Sequence, residues 1–178
     1  MSELTTLCCA EHELGPRRRQ ELQRLLAASF PSWFRDRWYF KQLPHLRMLA
    51  YVGDQLVGQV GIDHRMIRVG DSPVEIFGLI DVCVDPEHRS RGVASTMLRE
   101  IEALARRHAI ECLLLHTDDS RLYERCGFVR LERPSRWLGI HEHATVGLIE
   151  RVDDWIHVKP LTEDGWPDGP VDLLGYMF

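Results

Sequence analysis

The 178-residue chain is long enough to bury one sizeable core, and its 44% hydrophobic and 28% charged residues are ordinary for a soluble globular protein. A net charge of -5, with basic residues scattered apart from Arg17-Arg18-Arg19, argues against nucleic acid as a partner, because phosphate backbones are held by basic faces. No apolar run reaches membrane-spanning length, and the stretch after Met1 lacks the basic start and long apolar centre of a signal peptide. The five cysteines form no C-x-x-C pair; Cys83, Cys112 and Cys126 lie inside apolar stretches, which reads as reduced thiols in a cytoplasmic protein.

In chain order, Leu4 to Cys9 reads as a first strand. Gly15-Pro16 opens a helix whose apolar positions, Leu22, Leu25, Leu26 and Phe30, recur at helical spacing until Pro31 stops it. The aromatic stretch Trp33, Phe34, Trp38, Tyr39, Phe40 predicts a second short helix. Leu46 to Val52 and Leu56 to Val69 form a hairpin across Gly53-Asp54, and Gly70-Asp71-Ser72-Pro73 turns into a third strand, Val74 to Val84. Val93, Met97, Leu98, Ile101, Leu104 and Ala105 mark the inner stripe of a strong helix. Cys112 to Leu115 is a short buried strand, and Ser120 to Cys126 a short helix closed by Gly127. Thr145 to Glu150 and Trp155 to Val158 read as strands. An antiparallel meander followed by strand, helix and strand predicts an α/β fold with a mixed, mostly antiparallel sheet and one parallel crossover. No linker divides the chain, so residues 1–178 read as one domain.

The informative stretch runs from Val82 to Ser95. A strand ends at Asp85-Pro86, a polar loop follows, and the strong helix opens at Gly92. A helix start exposes unpaired N–H groups and the positive end of the dipole, which suits an anion. Gly92 and Ala94 keep the backbone around Arg91, Val93 and Ser95 uncovered, and Arg89 and Arg91 can add charge-assisted hydrogen bonds. A basic surface turn before a helix is the ordinary alternative. Arg89-x-x-Gly92-x-Ala94, with its lead-in Val84-x-Pro86-Glu87-x-Arg89, resembles the Q/R-x-x-G-x-G/A motif of the GNAT N-acetyltransferase family. Leu122-Tyr123-Glu124-Arg125-Cys126-Gly127-Phe128 resembles the family's second motif, in the expected order and spacing. The likeness covers residues 46–130 best. Within the family, Tyr51-Val52 through Gly61 and the late Trp166-x-x-Gly169 are similar to the aminoglycoside 2′-N-acetyltransferases and nodulation N-acyltransferases.

The resemblance implies the GNAT acyl-CoA N-acyltransferase fold, with acetyl-CoA as co-substrate. Its diphosphate would lie on Arg89, Ser90, Arg91, Gly92, Val93, Ala94 and Ser95, and its pantetheine arm along the backbone of Val82, Cys83 and Val84. Tyr123 would be the general acid that protonates the departing thiolate; a tyrosine packed on Phe128 is the plainer reading. Thr117 stands where many members have asparagine, which puts a contact there in doubt. No general base is evident: Ile80 fills the position relatives use, and strand alternation turns its neighbour Asp81 to the other face. Glu75, His64 and His116 are the other candidates. His141-Glu142-His143 lacks the further ligands of a metal site.

The implied reaction moves an acetyl group to a primary amine of a small molecule by direct attack. The acidic residues Glu150, Asp153, Asp154, Glu163, Asp164, Asp168 and Asp172, opposed in sequence only by Arg151 and Lys159, favour a cationic, aminosugar-like acceptor if they line its cleft; a solvated tail is the alternative. A protein or peptide N-acetyltransferase and a catalytically silent acyl-CoA sensor are the competing readings. A homodimer is compatible with everything above.

Overall fold

The computed structural model describes residues 3–34, 36–141 and 143–178. These residues gather into two compact units: residues 3–62 with 80–101, and residues 63–79 with 102–178. Strands β3 (Gln55–Val69) and β4 (Ser72–Val84) and helix α2 (Val93–Arg107) contribute residues to both. The predicted α/β architecture is present, with antiparallel strand pairs in the majority and a parallel β4–α2–β5 crossover. Among the described residues no helix is long and apolar enough to cross a membrane.

In the first unit, β1 (Leu4–Ala10) pairs antiparallel with β2 (Leu46–Val52), and β2 with the first half of β3. Helix α1 (Pro16–Ser29) starts on Pro16, where a missing N–H costs nothing, and buries Leu22, Leu25 and Leu26 beside Leu49, Leu56 and Cys83. Burying each such leucine contributes about 1.5–3 kcal/mol. Gly58 on β3 lets α2 come close, since a Cβ there would stand 2.9 Å from Met97 Cε. The expected helix over the aromatic stretch is absent. Pro31 to Trp33 form a turn, and the described residues from 34 to 40 are bends and irregular backbone. Their rings instead pack on one another, Phe30 on Phe34 at 5.7 Å and Trp33 edge-on to Phe40 at 4.9 Å. Aromatic density reported a core there, with no helical period behind it.

In the second unit, β4 runs parallel to β5 (Cys112–His116) from Ile76↔Cys112 to Leu79↔Leu115. Helix α3 (Arg121–Arg125) is closed by Gly127 at φ +85°. Strand β9 (Ile156–Pro160) pairs antiparallel with β5 and with the short β6 (Val129–Arg130). Strands β7 (Arg133–His141) and β8 (Ala144–Asp153) form a long hairpin, and β10 (Val171–Tyr176) lies parallel to β7 and antiparallel to the end of β3. The sequence reading found β8 and β9 but neither β7 nor β10. Their first halves alternate, with Ser135, Trp137, Val171 and Leu173 facing the core, before register shifts at Gly139/Ile140 and after Asp172. Glu142 of the His-Glu-His stretch lies outside the described residues; His141 ends β7 and His143 has φ +63°.

Candidate functional site

The first unit carries the loop that the sequence singled out. Val82, Cys83 and Val84 close β4, and the β4–β5 ladder has already ended at Leu79↔Leu115, so their backbone lies beyond that pairing. Asp85 then caps a 3₁₀ turn, Pro86–His88, accepting the Glu87 amide at 2.9 Å, while the Asp85 amide donates to Val57 at 2.8 Å. Both bonds fix where the loop leaves the sheet. Arg89 and Arg91 are exposed; Arg89 Nε donates to the Val84 carbonyl at 3.2 Å. Ser90 and Gly92 have φ of +60° and +80°, so successive amides turn toward one side, as in an anion-binding nest.

At Gly92 a Cβ would meet nothing within 4 Å, so the space over the helix start is open. Helix α2 makes its first backbone bond from Thr96 to the Gly92 carbonyl, 2.9 Å, which leaves the amides of Val93, Ala94 and Ser95 outside the ladder. Three free amides, the positive end of a 15-residue helix and two exposed guanidinium groups suit a diphosphate. The Cys83 side chain is different in kind. It is buried beside α1, and burial pushes its thiol up to about 12, so only its main chain is open to a ligand.

The acetyltransferase (GNAT) family model matches residues 16–128, more than half of the chain. The chain belongs to the GNAT acetyltransferase family. Among curated proteins it is similar to the N-alpha-acetyltransferase 30 of Dictyostelium discoideum, 28% identical over 134 residues and 69% of each chain. Among solved structures it resembles the GNAT N-acetyltransferase YhbS of Escherichia coli in complex with CoA, at a TM-score of 0.65, 19% identity, and 96% and 91% of the two chains. It likewise resembles a GNAT acetyltransferase of Brucella melitensis in complex with acetyl-CoA, at a TM-score of 0.60, 18% identity, and 94% of each chain. Against three larger structures the chain spans 34% of the partner's length. At these identities the structures establish the GNAT fold.

The other sequence candidates divide between the units. Asp81 belongs to the first. It has φ +51°, a left-handed conformation that interrupts the regular extension of β4 there. The expectation that Asp81 and Ile80 simply point to opposite faces rested on unbroken alternation, which β4 does not have. A chain of polar groups invisible to local patterning ends at this kink. Arg47, fully buried, donates to Glu11 Oε2 at 2.6 Å, Gln59 Oε1 at 2.8 Å and the Trp38 carbonyl at 2.8 Å; Gln59 in turn donates to the Asp81 carbonyl. Lys41, also missed from sequence, has its amine shifted down by burial while Asp81 opposes that shift.

In the second unit, Tyr123 is half-buried on α3 with its ring edge-on to Phe128 at 5.8 Å. Thr117 donates its amide to Trp155, and its hydroxyl accepts the Asp119 amide at 3.2 Å, a local turn. His64 and Glu75 contact each other at 2.6 Å, and His116 lies 3.3 Å from Asp153. The acidic residues read as a field toward a cation are largely met by arginines. Asp172 bonds Arg136 and lies 3.5 Å from Arg68, Asp154 bonds Arg130, Asp153 bonds Arg151, and Asp168 is 3.7 Å from Arg133. Apart from Arg151, the partners lie earlier in the sequence, from 68 to 136, which concealed this cancellation.

Proposed function

We propose that this chain transfers the acetyl group of acetyl-CoA to a primary amine. The observation that supports it is the open helix start at Gly92, where the amides of Val93 to Ser95 are free beside Arg89 and Arg91. Those groups hold the diphosphate, and the main chain of Val82 to Val84, beyond its pairing with β5, hydrogen-bonds the extended pantetheine arm as an added strand would. One of these N–H groups also stabilises charge growing on the thioester oxygen. Acetyl-CoA, when bound, supplies an activated acyl carbon and a thiolate leaving group. Tyr123 holds the proton for that thiolate, a role supported by its place in the second motif.

Charge no longer argues for a cationic small acceptor, because arginines answer the acidic residues. The name of the Dictyostelium relative favours a second reading, in which the acceptor is the α-amine of a peptide. Thiol release from acetyl-CoA against a panel of aminosugars, simple amines and peptides with free N-termini separates the two. Gly92→Glu places a carboxylate where the diphosphate sits, and should lower acetyl-CoA affinity by at least about a hundredfold, the scale of several lost charge-assisted bonds. Tyr123→Phe should keep that affinity and cut turnover about a hundredfold. Tight binding of acetyl-CoA without thiol release for any amine would make the chain a sensor. Unchanged affinity in Gly92→Glu would remove the site.

A further inference from the structure

In the second unit one face of the sheet formed by the end of β3, β10, β7 and β8 is uncovered. Cross-strand partners Arg68↔Asp172, Asp172↔Arg136 and Arg136↔Glu150 place four charged residues in one row across the four strands. Read from β3 to β8 the signs alternate, plus, minus, plus, minus. Neighbours in the row are ion-paired: Arg68 to Asp172 at 3.5 Å, Arg136 to Asp172 through Nε at 3.1 Å, and Arg136 to Glu150 at 3.6 Å. Around the row the same face presents apolar side chains to solvent, Met66 at 48% exposed and Leu148 and Val152 each at 61%, with Leu138 paired to Leu148. Exposed apolar surface of this kind, threaded by ordered charge, marks a protein contact.

We infer that this face binds a second copy of the chain, sheet against sheet, about a two-fold axis lying along the strands. Such an axis reverses the order of the row. Arg68 then faces the partner's Glu150, and Asp172 faces the partner's Arg136. Every charge meets its opposite, and the paired rows form a checkerboard. An axis along the row would instead set Arg68 on its own copy, so the signs select one arrangement. The same axis brings apolar residues onto apolar residues, as an isologous contact requires, and stacked sheets accept this aligned packing at about 10 Å. Beside the row lies a hollow of about 450 Å³ bordered by Pro134, Val152 and Pro170. The hollows of the two copies face each other and hold water, as interfaces commonly do. With strands about 4.8 Å apart and about 3.3 Å per residue, the ten residues of β8, nine of β7, six of β10 and the end of β3 give on the order of 450 Å² of sheet per copy, a small interface beside the roughly 800 Å² that a standard one covers on each side.

Sedimentation or light scattering on the full chain tests this arrangement. The wild type should dimerise reversibly. Glu150→Lys sets a lysine on the partner's Arg68, and Arg68→Glu sets a glutamate on the partner's Glu150. Each should weaken the dimer about a hundredfold, the scale of opposed like charges. The double variant restores opposite charges across the interface while placing like charges side by side within each chain. It should therefore dimerise better than either single variant, an outcome that in-chain pairing alone forbids. Leu148→Asp should give monomers whose melting curve matches that of the wild type diluted to monomer, because the site is exposed. A wild type that stays monomeric at all attainable concentrations, single variants that dimerise normally, or a double variant no better than the singles would each overturn the assignment.

Discussion

Each unit of this protein contains a row of charged and polar groups, and the two rows live under opposite rules. In the first unit, Glu11, Arg47 and Gln59 join in the interior, where Arg47 has no solvent exposure. In the second, Arg68, Asp172, Arg136 and Glu150 lie on an open sheet face, where the Arg136 side chain is 40% exposed. Both satisfy their hydrogen bonds. Water decides what each is worth. A buried ion pair gains little over apolar packing while intact, yet losing one partner strands a charge without solvent. A surface pair loses only what water nearly replaces.

The sharpest way to break this contrast is Arg47→Ala. It leaves Glu11 Oε2, the Trp38 carbonyl and the Gln59 amide oxygen without the Arg47 donor, with only the Trp38 indole N–H still on Glu11 Oε1, and should cost about 3–5 kcal/mol in denaturant unfolding. A cost under about 1 kcal/mol would mean that water reaches the site, and would erase the distinction. Asp153 is the intermediate case, a buried carboxylate whose partner Arg151 is exposed. Burial pushes its pKa up, but bonds from the Trp155 amide and the Arg151 guanidinium more than offset this, so it is held below the ordinary carboxylate value. A depressed folded-state pKa stabilises above the unfolded value and is lost as pH falls through the folded one. Arg151→Gln should therefore destabilise the protein most at neutral pH and shift acid unfolding to higher pH. The gap from wild type should close once both states are protonated. A gap that stays constant with pH would assign the effect to the packing of Arg151 over the Trp137 ring. The smallest effect is expected for Arg136→Gln. Its melting temperature, measured on the monomer, should lie within replicate scatter of the wild type.

The same contrast explains what was legible in the sequence. The cofactor loop is local: strand end, cap, glycine and helix start are contiguous, and each leaves a mark in residue order. The meander and the stripe of α2 are local too, and the structure contains them as read. The buried row draws on residues 11, 47 and 59, and its members look like stray polar residues in apolar strands until the strands are paired. The acidic residues of the last part misled for the same reason, since their partners Arg68, Arg130, Arg133 and Arg136 precede them in the chain. Strands β7 and β10 were missed although they alternate, because Pro134, Gly139 and Gly175 interrupt the pattern that propensity looks for. The left-handed Asp81 has no sequence signal at all, as aspartate is ordinary in a strand-ending turn and uncommon where this one lies.

That kink limits how the protein tolerates insertion and deletion. A regular strand can slip by two residues and present the same face again. Strand β4 cannot, because its alternation changes phase at Asp81 and the carbonyl there is held by Gln59 from inside the unit. A slip would carry the phase change past its anchor and turn either the residues before it or those after it inside out. The segment from Val82 to Ser95 thus starts at a fixed count from a fixed point. One residue added or removed between Asp81 and Asp85 should be far more damaging than the same change in the exposed hairpin turn at Gly53-Asp54, which carries no part of the cofactor loop.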